Sequence, residues 1–247
     1  MDRIELRPGP LALVGSGEYT PAMNDTDGWL LELLGRRPAR VALLATASAL
    51  EPGMPDRWNA MGMAHWSALG AQPAALPLLT RADAADAQIV DALNEADLFY
   101  FSGGDPQHLA ETLRDTPAWD VIRSRHAAGA ALAGCSAGAM MLGGYTLGIR
   151  ALIAGQPPSW PTALGFLPNL AILPHFDRAA EYMGEELLRA VLAAAPAGVT
   201  LLGIDEDTAL VRAGERWVVS GRQSVVVFVG DTRRSYQAGE QISLPPP

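Results

Sequence analysis

The sequence predicts an α/β fold: a mostly parallel sheet sandwiched by helices, with a β-rich C-terminal extension. Two observations predict the sandwich. Short apolar runs without polar alternation recur between Leu11 and Ile204, and longer segments with helical patterning separate them. Strands that are apolar on both faces belong to parallel sheets covered on both sides, and the intervening helices supply the cover. A third observation predicts the extension. After Thr208 the apolar runs are short, β-rich and turn-separated, which is the pattern of antiparallel pairing at a sheet edge.

Leu11–Val14 is the first strand and runs into Gly15-Ser16-Gly17; Thr26–Leu34 follows as a helix. Arg40–Thr46 (RVALLAT) is the second strand, Met54–Leu69 a helix, Ala74–Leu79 a weaker third strand and Asp86–Glu95 a helix. Asp97–Ser102 (DLFYFS) is the fourth strand and ends in Gly103-Gly104-Asp105-Pro106. Two helical patterns, Pro106–Leu113 and Ala118–Ala128, precede the fifth strand, Ala130–Cys135, and a buried helix follows the turn at Ser136. Pro157–Pro161 (PPSWP) is a loop, Ala171–Leu173 a short strand, Arg178–Ala194 a helix stopped by Pro196, and Leu201–Ile204 a buried strand. The extension holds Thr208–Val211, Arg216–Ser220, Ser224–Val229 and Gln241–Leu244. No internal repeat or low-complexity linker divides the chain. Residues 1–247 therefore read as one α/β domain with 208–247 as its β-rich extension.

Composition excludes several classes. Of 247 residues, 49% are hydrophobic and 18% charged, the reverse of a disordered chain. A net charge of −9 disfavours non-specific nucleic-acid and anionic-membrane binding. Cys135 is the only cysteine, which excludes an intrachain disulfide and any multi-cysteine zinc or iron–sulfur site. A chain without disulfides fits a reducing, cytoplasmic compartment. Met1–Pro10 is polar and holds no signal-peptide-like apolar run. Ala127–Ile149 carries no charge over a bilayer-spanning length, but glycines interrupt it, among them Gly129, Gly134, Gly138, Gly143 and Gly144. It reads as strand, tight turn and buried helix rather than as a membrane span. The expected partner is a small molecule, with no nucleic acid and no membrane.

Gly134-Cys135-Ser136-Ala137-Gly138 carries the strongest chemical signal. It follows an apolar strand and opens a small-residue helix, the context of a nucleophile elbow. Such a turn forces its central residue into strained backbone geometry, and its flanking residues must be small. Close packing of a Gly/Ala strand on a helix is the alternative. Cys135 stands one position too early to be the nucleophile. Neighbours at a strand end point opposite ways, so Cys135 faces the core and Ser136 the cleft.

A serine needs a base. His65 and His126 sit in helical, mixed-polarity stretches, and His108 follows the Gly103-Gly104 turn near the sheet mouth. His175 is the only histidine after Ser136 and stands just beyond the 171–173 strand, where sites form in parallel sheets; a hydrogen-bonded core histidine is its alternative. No Asp or Glu lies between Ser136 and His175, so the order serine–acid–histidine is unavailable. Asp205, Glu206 and Asp207 end the buried 201–204 strand. Alternation lets only one of Asp205 and Glu206 reach the histidine, and a solvated acidic turn is the alternative. The Gly103-Gly104 turn permits close backbone approach, and the Gly104 N–H suits an oxyanion hole; a plain turn before a helix explains it equally. Gly15-Ser16-Gly17-Glu18 superficially imitates a dinucleotide loop, but Thr20 stands where the third glycine belongs.

Together these residues resemble the aspartyl dipeptidase–cyanophycinase family of serine peptidases. The resemblance rests on Gly-Ser-Gly-Glu after the first strand, Phe101-Ser102-Gly103-Gly104-Asp105, Gly134-Cys135-Ser136-Ala137-Gly138-Ala139, Pro174-His175-Phe176 and Gly203-Ile204-Asp205-Glu206, which span residues 11 to 211. It implies a class I glutamine amidotransferase-like, flavodoxin-like sandwich with no metal and no cofactor. It implies Ser136 as nucleophile, His175 as base and Glu206 as orienting acid, with oxyanion N–H groups from Gly104 and Ala137. Family members that cut cyanophycin carry a Gln after the Gly-Gly-Asp and several arginines after the histidine. Here Pro106 takes that position with Gln107 next, and Arg178 is followed by Ala179, Ala180 and Glu181. These departures argue against the β-aspartyl-arginine polymer as substrate. The dipeptidase relatives recognise an N-terminal aspartate, whose carboxylate wants a cation; Arg178 and Arg150 are the candidates, and Gln107 joins them as a substrate-binding residue. The expectation is a cytoplasmic serine peptidase acting on short peptides. A catalytically silent binding domain and a small-molecule esterase or amidase are its alternatives. Dimerisation is common in the family, and the β-rich tail offers a surface for a homodimer.

Overall fold

In the computed structural model, which describes residues 7–230 and 232–244, the apolar runs form two sheets rather than one. Residues 1–6 lie outside it, and with them most of the N-terminal segment read above as polar. The first half of the chain alternates strand and helix: β1 (Leu11–Val14), α1 (Asn24–Leu34), β2 (Arg40–Leu44), α2 (Met54–Ala68), β3 (Gln72–Ala75), α3 (Ala87–Asn94), β4 (Leu98–Phe101), α4 (Pro106–Leu113), α5 (Pro117–Ala127) and β5 (Ala131–Cys135). The helix starts follow from side-chain caps. Asp86 accepts the N–H groups of Gln88 and Ile89, Asp105 accepts that of His108, and Thr116 that of Trp119. Proline opens α4 and α5, where its missing N–H costs nothing.

The second half runs α6 (Ala137–Leu142), β6 (Gly143–Tyr145), α7 (Ile149–Ile153), β7 (Leu167–Leu173), α8 (Ala179–Met183), α9 (Glu185–Ala193) and β8 (Thr200–Ile204). It ends with β9 (Thr208–Ala213), β10 (Arg216–Gly221), β11 (Ser224–Val229), β12 (Thr232–Gln237) and β13 (Gln241–Ile242). The larger sheet has the order β13-β10-β9-β1-β5-β4-β2-β3, and the smaller β12-β11-β8-β7-β6. β1 to β5 are parallel within the larger sheet, and β6, β7 and β8 are parallel within the smaller. The expectation of a single sandwiched sheet is thus corrected, within an architecture that is mixed α/β.

Helix α6 supplies the reason. All six of its residues, Ala-Gly-Ala-Met-Met-Leu, are buried. A helix apolar all round must be covered on every side. It contacts β1, β4 and β5 of the larger sheet and β6 and β7 of the smaller. The inward residues Leu170, Ile172, Leu202 and Ile204 of the second sheet share one apolar cluster with Leu11, Leu13, Phe99 and Phe101 of the first. The uncharged stretch that imitates a membrane span is therefore a strand of the larger sheet, the helix that fills the space between the sheets, and a strand of the smaller. No helix among the described residues is long and apolar enough to cross a bilayer. On the far face of the larger sheet, Ala12, Val14, Ala133 and Cys135 pack with residues of α1 and α2.

Other expectations shift for local reasons. The third strand is Gln72–Ala75 rather than Ala74–Leu79, a largely exposed edge strand where Pro73 is tolerated. The expected helix Arg178–Ala194 breaks at Gly184 (φ 80°, ψ 151°) into α8 and α9. The tail does not extend a single edge. β9, β10 and β13 extend the larger sheet beyond β1, while β11 and β12 extend the smaller beyond β8. The strand β12 and the short elements β6 and α7 were not foreseen in the sequence.

Candidate active site

Ser136 stands where β5 turns into α6. Its N–H bonds to the Val14 carbonyl at 2.9 Å, continuing the β1–β5 ladder, and its own carbonyl accepts the N–H groups of Ala139 and Met140. Between these fixed ends its backbone takes φ 50°, ψ −113°, a strained conformation for a residue with a side chain. The small flanking residues are obligatory: a Cβ on Gly134 would lie 2.3 Å from the Gly138 carbonyl oxygen. Alternation sends Cys135 the other way. It is fully buried, and its thiol donates to Glu18 Oε2 at 2.9 Å. Burial first, and then the Glu18 charge, push that thiol well above its ordinary range, so it is not a thiolate nucleophile at neutral pH.

His175 and Glu206 come from the other sheet. β7 and β8 are parallel neighbours with Leu173 opposite Gly203, so the segments beyond them emerge side by side. His175 has left-handed φ 51° and precedes a short 3-10 turn, Phe176–Arg178. Its Nδ1 lies 2.8 Å from Glu206 Oε1, and its Nε2 lies 3.1 Å from Ser136 Oγ. The carboxylate fixes the proton on Nδ1, which leaves Nε2 as an acceptor for the serine hydroxyl. The His175 and Glu206 side chains are 33% and 27% exposed, so the line faces solvent.

Asp205 takes no part in that line. It turns inward and accepts both the N–H and the hydroxyl of Ser224. Glu206 is fixed by groups the sequence did not single out. Its N–H donates to Asp177 Oδ1 at 2.8 Å, and the Gln223 side-chain amide donates to Asp177 Oδ2 and to the Glu206 carbonyl. The Tyr182 hydroxyl donates to Glu206 Oε1 at 3.2 Å. Asp177 carried a signal, an acid two residues after the histidine. Gln223 carried none, because its place depends on the β10–β11 turn meeting the ends of β7 and β8.

The Gly103-Gly104 turn closes the near side. A Cβ on Gly103 would lie 3.4 Å from Ser136 Cβ. Gly104 has φ 142°, and a Cβ there would sit 2.4 Å from the Ala47 carbonyl, so only glycine fits. The Gly104 N–H makes no backbone hydrogen bond among the described residues. Ala137 is the first residue of α6, whose opening N–H groups have no intrahelical partner.

Among the described residues the side chains of the remaining candidates make no hydrogen bond to Ser136 or His175, although the Arg178 N–H bonds to the His175 carbonyl at 3.0 Å. Arg178 is held by Glu181 through two hydrogen bonds of 2.6 and 2.8 Å. Arg150 bonds to Asp105 at 2.6 Å and lies 3.6 Å from Glu111. Gln107 buries its Oε1 without a partner among the described residues. The other histidines have structural partners. His65 pairs with buried Asp27 at 2.8 Å, and His108 Nε2 bonds to the Leu79 carbonyl. His126 bonds to the Ala130 carbonyl and to Arg212. Burial, and then the Arg212 charge, lower its pKa to about 4.

Comparison with known proteins supplies the family. The model of Peptidase family S51 matches residues 11–219. A cyanophycinase from Nostoc sp. strain PCC 7120 is 31% identical over 159 residues, 62% of this chain and 51% of that protein. A peptidase E from Shewanella amazonensis is 30% identical over 157 residues, 62% of this chain and 66% of the relative. The chain spans about half the length of the cyanophycinases it matches. The crystal structure of a peptidase from an acI-B1 actinobacterium superposes with a TM-score of 0.87 at 35% identity, covering 97% of this chain and 98% of that one. On the extent of the family match and of this structural likeness, the chain belongs to peptidase family S51.

Proposed function

We propose that this protein is a serine peptidase hydrolysing short peptides, with Ser136 as nucleophile, His175 as general base and Glu206 as the acid that orients it. The observation that carries the reading is the continuous hydrogen-bonded line from Ser136 Oγ through His175 to Glu206 Oε1, on a serine whose strained backbone turns its hydroxyl toward His175. Ser136 Oγ attacks the peptide carbonyl carbon while its proton passes to His175 Nε2. Glu206 stabilises the imidazolium. The N–H groups of Gly104 and Ala137 receive the oxyanion. His175 then protonates the departing amine, and water repeats the sequence to release the acyl group. The glutamine amidotransferase-like classification belongs to the same reading and is supported by the elbow between β5 and α6.

The preference for N-terminal aspartate meets an obstacle. A substrate carboxylate would have to displace Glu181 from Arg178, or Asp105 from Arg150. Exchanging one carboxylate for another at an exposed guanidinium gains little. A dipeptide library with α-linked Asp, β-linked Asp and neutral N-terminal residues tests this. Selective cleavage of the aspartyl set supports the preference, and uniform cleavage removes it. The catalytic reading is tested by a fluorophosphonate probe. Labelling at Ser136 that Ser136→Ala abolishes supports it, whereas a folded protein that takes no label overturns it and favours a binding domain.

A further inference from the structure

Glu18 is a buried acid that the mechanism above does not use. Its Oε1 accepts the Gly103 N–H at 2.9 Å, and its Oε2 accepts the Cys135 thiol proton at 2.9 Å. These two residues immediately precede Gly104 and Ser136. The carboxylate therefore bridges the two turns between which an oxyanion would sit. The fit is close: a Cβ at Gly103 would lie 3.1 Å from Glu18 Oε1 and 3.4 Å from Ser136 Cβ.

The backbone is bent to put the carboxylate there. Gly17 has φ 86° and Tyr19 has φ 64°, so left-handed residues flank Glu18 on both sides. A tyrosine in that region is strained, and such strain persists only where its surroundings impose it. Tyr19 is itself buried, its ring 5.1 Å from that of Tyr100. Burying an acid is unfavourable unless its oxygens are hydrogen-bonded, and both oxygens of Glu18 are. For core packing alone, an apolar side chain would fill this position without that cost.

Resting on the serine peptidase reading, we propose that Glu18 is a positioning residue for the oxyanion hole: it sets the distance between the Gly103-Gly104 turn and the Ser136 elbow. The Gly104 N–H has to point at a developing charge, and the residue before it is tethered by its own N–H to Glu18. Without the tether, the turn keeps the flanking bonds from the Ser102 N–H to the Leu44 carbonyl and from the Asp105 N–H to the Ala47 carbonyl, neither of which faces Ser136. The Cys135 contact is the lesser arm, because a thiol is a weak donor.

The test uses the fluorophosphonate probe, whose phosphoryl oxygen occupies the oxyanion position once Ser136 attacks phosphorus and fluoride leaves. Glu18→Met keeps the length and bulk of the side chain but accepts no strong hydrogen bond; Glu18→Gln keeps one carbonyl acceptor for Gly103. Both are read for melting temperature and for the maximal rate and half-saturation concentration of labelling. The expected result for Glu18→Met is a maximal rate down by roughly a hundred-fold, about the effect of losing one oxyanion donor, at unchanged half-saturation. Glu18→Gln should return to within about five-fold of wild type, since it restores the acceptor. A folded Met variant labelled at the wild-type rate overturns the assignment. So does a Gln variant no faster than the Met variant, or failure of either to fold, which would make residue 18 part of the fold alone. Wild-type protein that takes no label at Ser136 removes the peptidase reading itself, and this inference with it.

Discussion

Two histidine–carboxylate pairs of the same length stand in different parts of this molecule. His65 Nε2 meets Asp27 Oδ2 at 2.8 Å between α2 and α1, with side chains 5% and 2% exposed. His175 Nδ1 meets Glu206 Oε1 at the same 2.8 Å, with side chains 33% and 27% exposed. The distance does not separate them; the surroundings do. The Asp27 pair is closed in by Tyr19 and Trp66, whose rings lie 5.9 and 5.4 Å from the imidazole. Burial pushes the Asp27 carboxyl above its ordinary range, and the His65 bond pulls it back only in part. In the Glu206 pair the second ring nitrogen is aimed at a serine hydroxyl. One pair fastens two helices together. The other continues from its second ring nitrogen to a serine at the end of a strand of the larger sheet.

Removing each histidine breaks the comparison most sharply. His175→Ala should lower turnover by at least about 10⁴-fold while shifting the denaturation midpoint little, because a partly exposed Glu206 can be rehydrated. His65→Ala should do the reverse. It strands Asp27 in the core and should cost about 3–5 kcal/mol in urea unfolding, with turnover per folded molecule close to wild type. A large activity loss in folded His65→Ala would erase the distinction. Next in size come the acids. Glu206→Gln cannot stabilise an imidazolium and should lose roughly 10³–10⁴-fold in kcat. Asp27→Asn keeps a carbonyl acceptor for His65 and removes a charge that burial disfavours, so its unfolding free energy should change by less than about 1.5 kcal/mol. Equal stability losses in Asp27→Asn and His65→Ala would show that the buried pair depends on its charge.

The two pairs also differ in how far the sequence revealed them. Ser136, His175 and Glu206 each follow a strand, and strand ends are legible as apolar runs that stop. The Asp27–His65 pair links two helices across 38 positions with no pattern to announce it, and His65 read as one helical histidine among several. The succession of early strands along the chain was readable because a helical pattern separates each from the next, whereas their order in the sheet was not read. The second sheet was not read either. Its need follows from α6 being buried on every side, which a run of Ala, Gly and Met suggests but does not specify. Glu18 stood in a motif weighed as a nucleotide loop and as one mark of the family resemblance, with no role assigned to its carboxylate. Its contacts lie 85 and 117 residues away and could not be read locally.

His126 extends the comparison with a histidine whose neighbour is a cation. Its folded pKa is about 4 against an ordinary 6.5, so the unfolded chain binds the proton more tightly. The stability this neutral histidine contributes is complete above pH 6.5 and is lost as pH falls through 6.5 toward 4. His126→Gln lacks that contribution. Between about pH 7 and pH 4.5, wild type should therefore lose roughly 2–3 kcal/mol more than the variant. Parallel stability curves for the two proteins would show that His126 does not titrate differently on unfolding.

The smallest expected effect tests how much support the exposed pair needs. The Tyr182 hydroxyl donates to Glu206 at 3.2 Å, yet Tyr182 is 61% exposed. Water can replace a donor at such a site, so Tyr182→Phe should reduce kcat by no more than about three- to five-fold. Its ring, 6.1 Å from that of His175 and under the Arg178 guanidinium, is kept in the variant. KM should therefore hold. A hundred-fold loss of kcat would mean that the hydroxyl sets the position of Glu206 in a way water cannot, and the solvent-facing pair would then be as tightly constrained as the buried one.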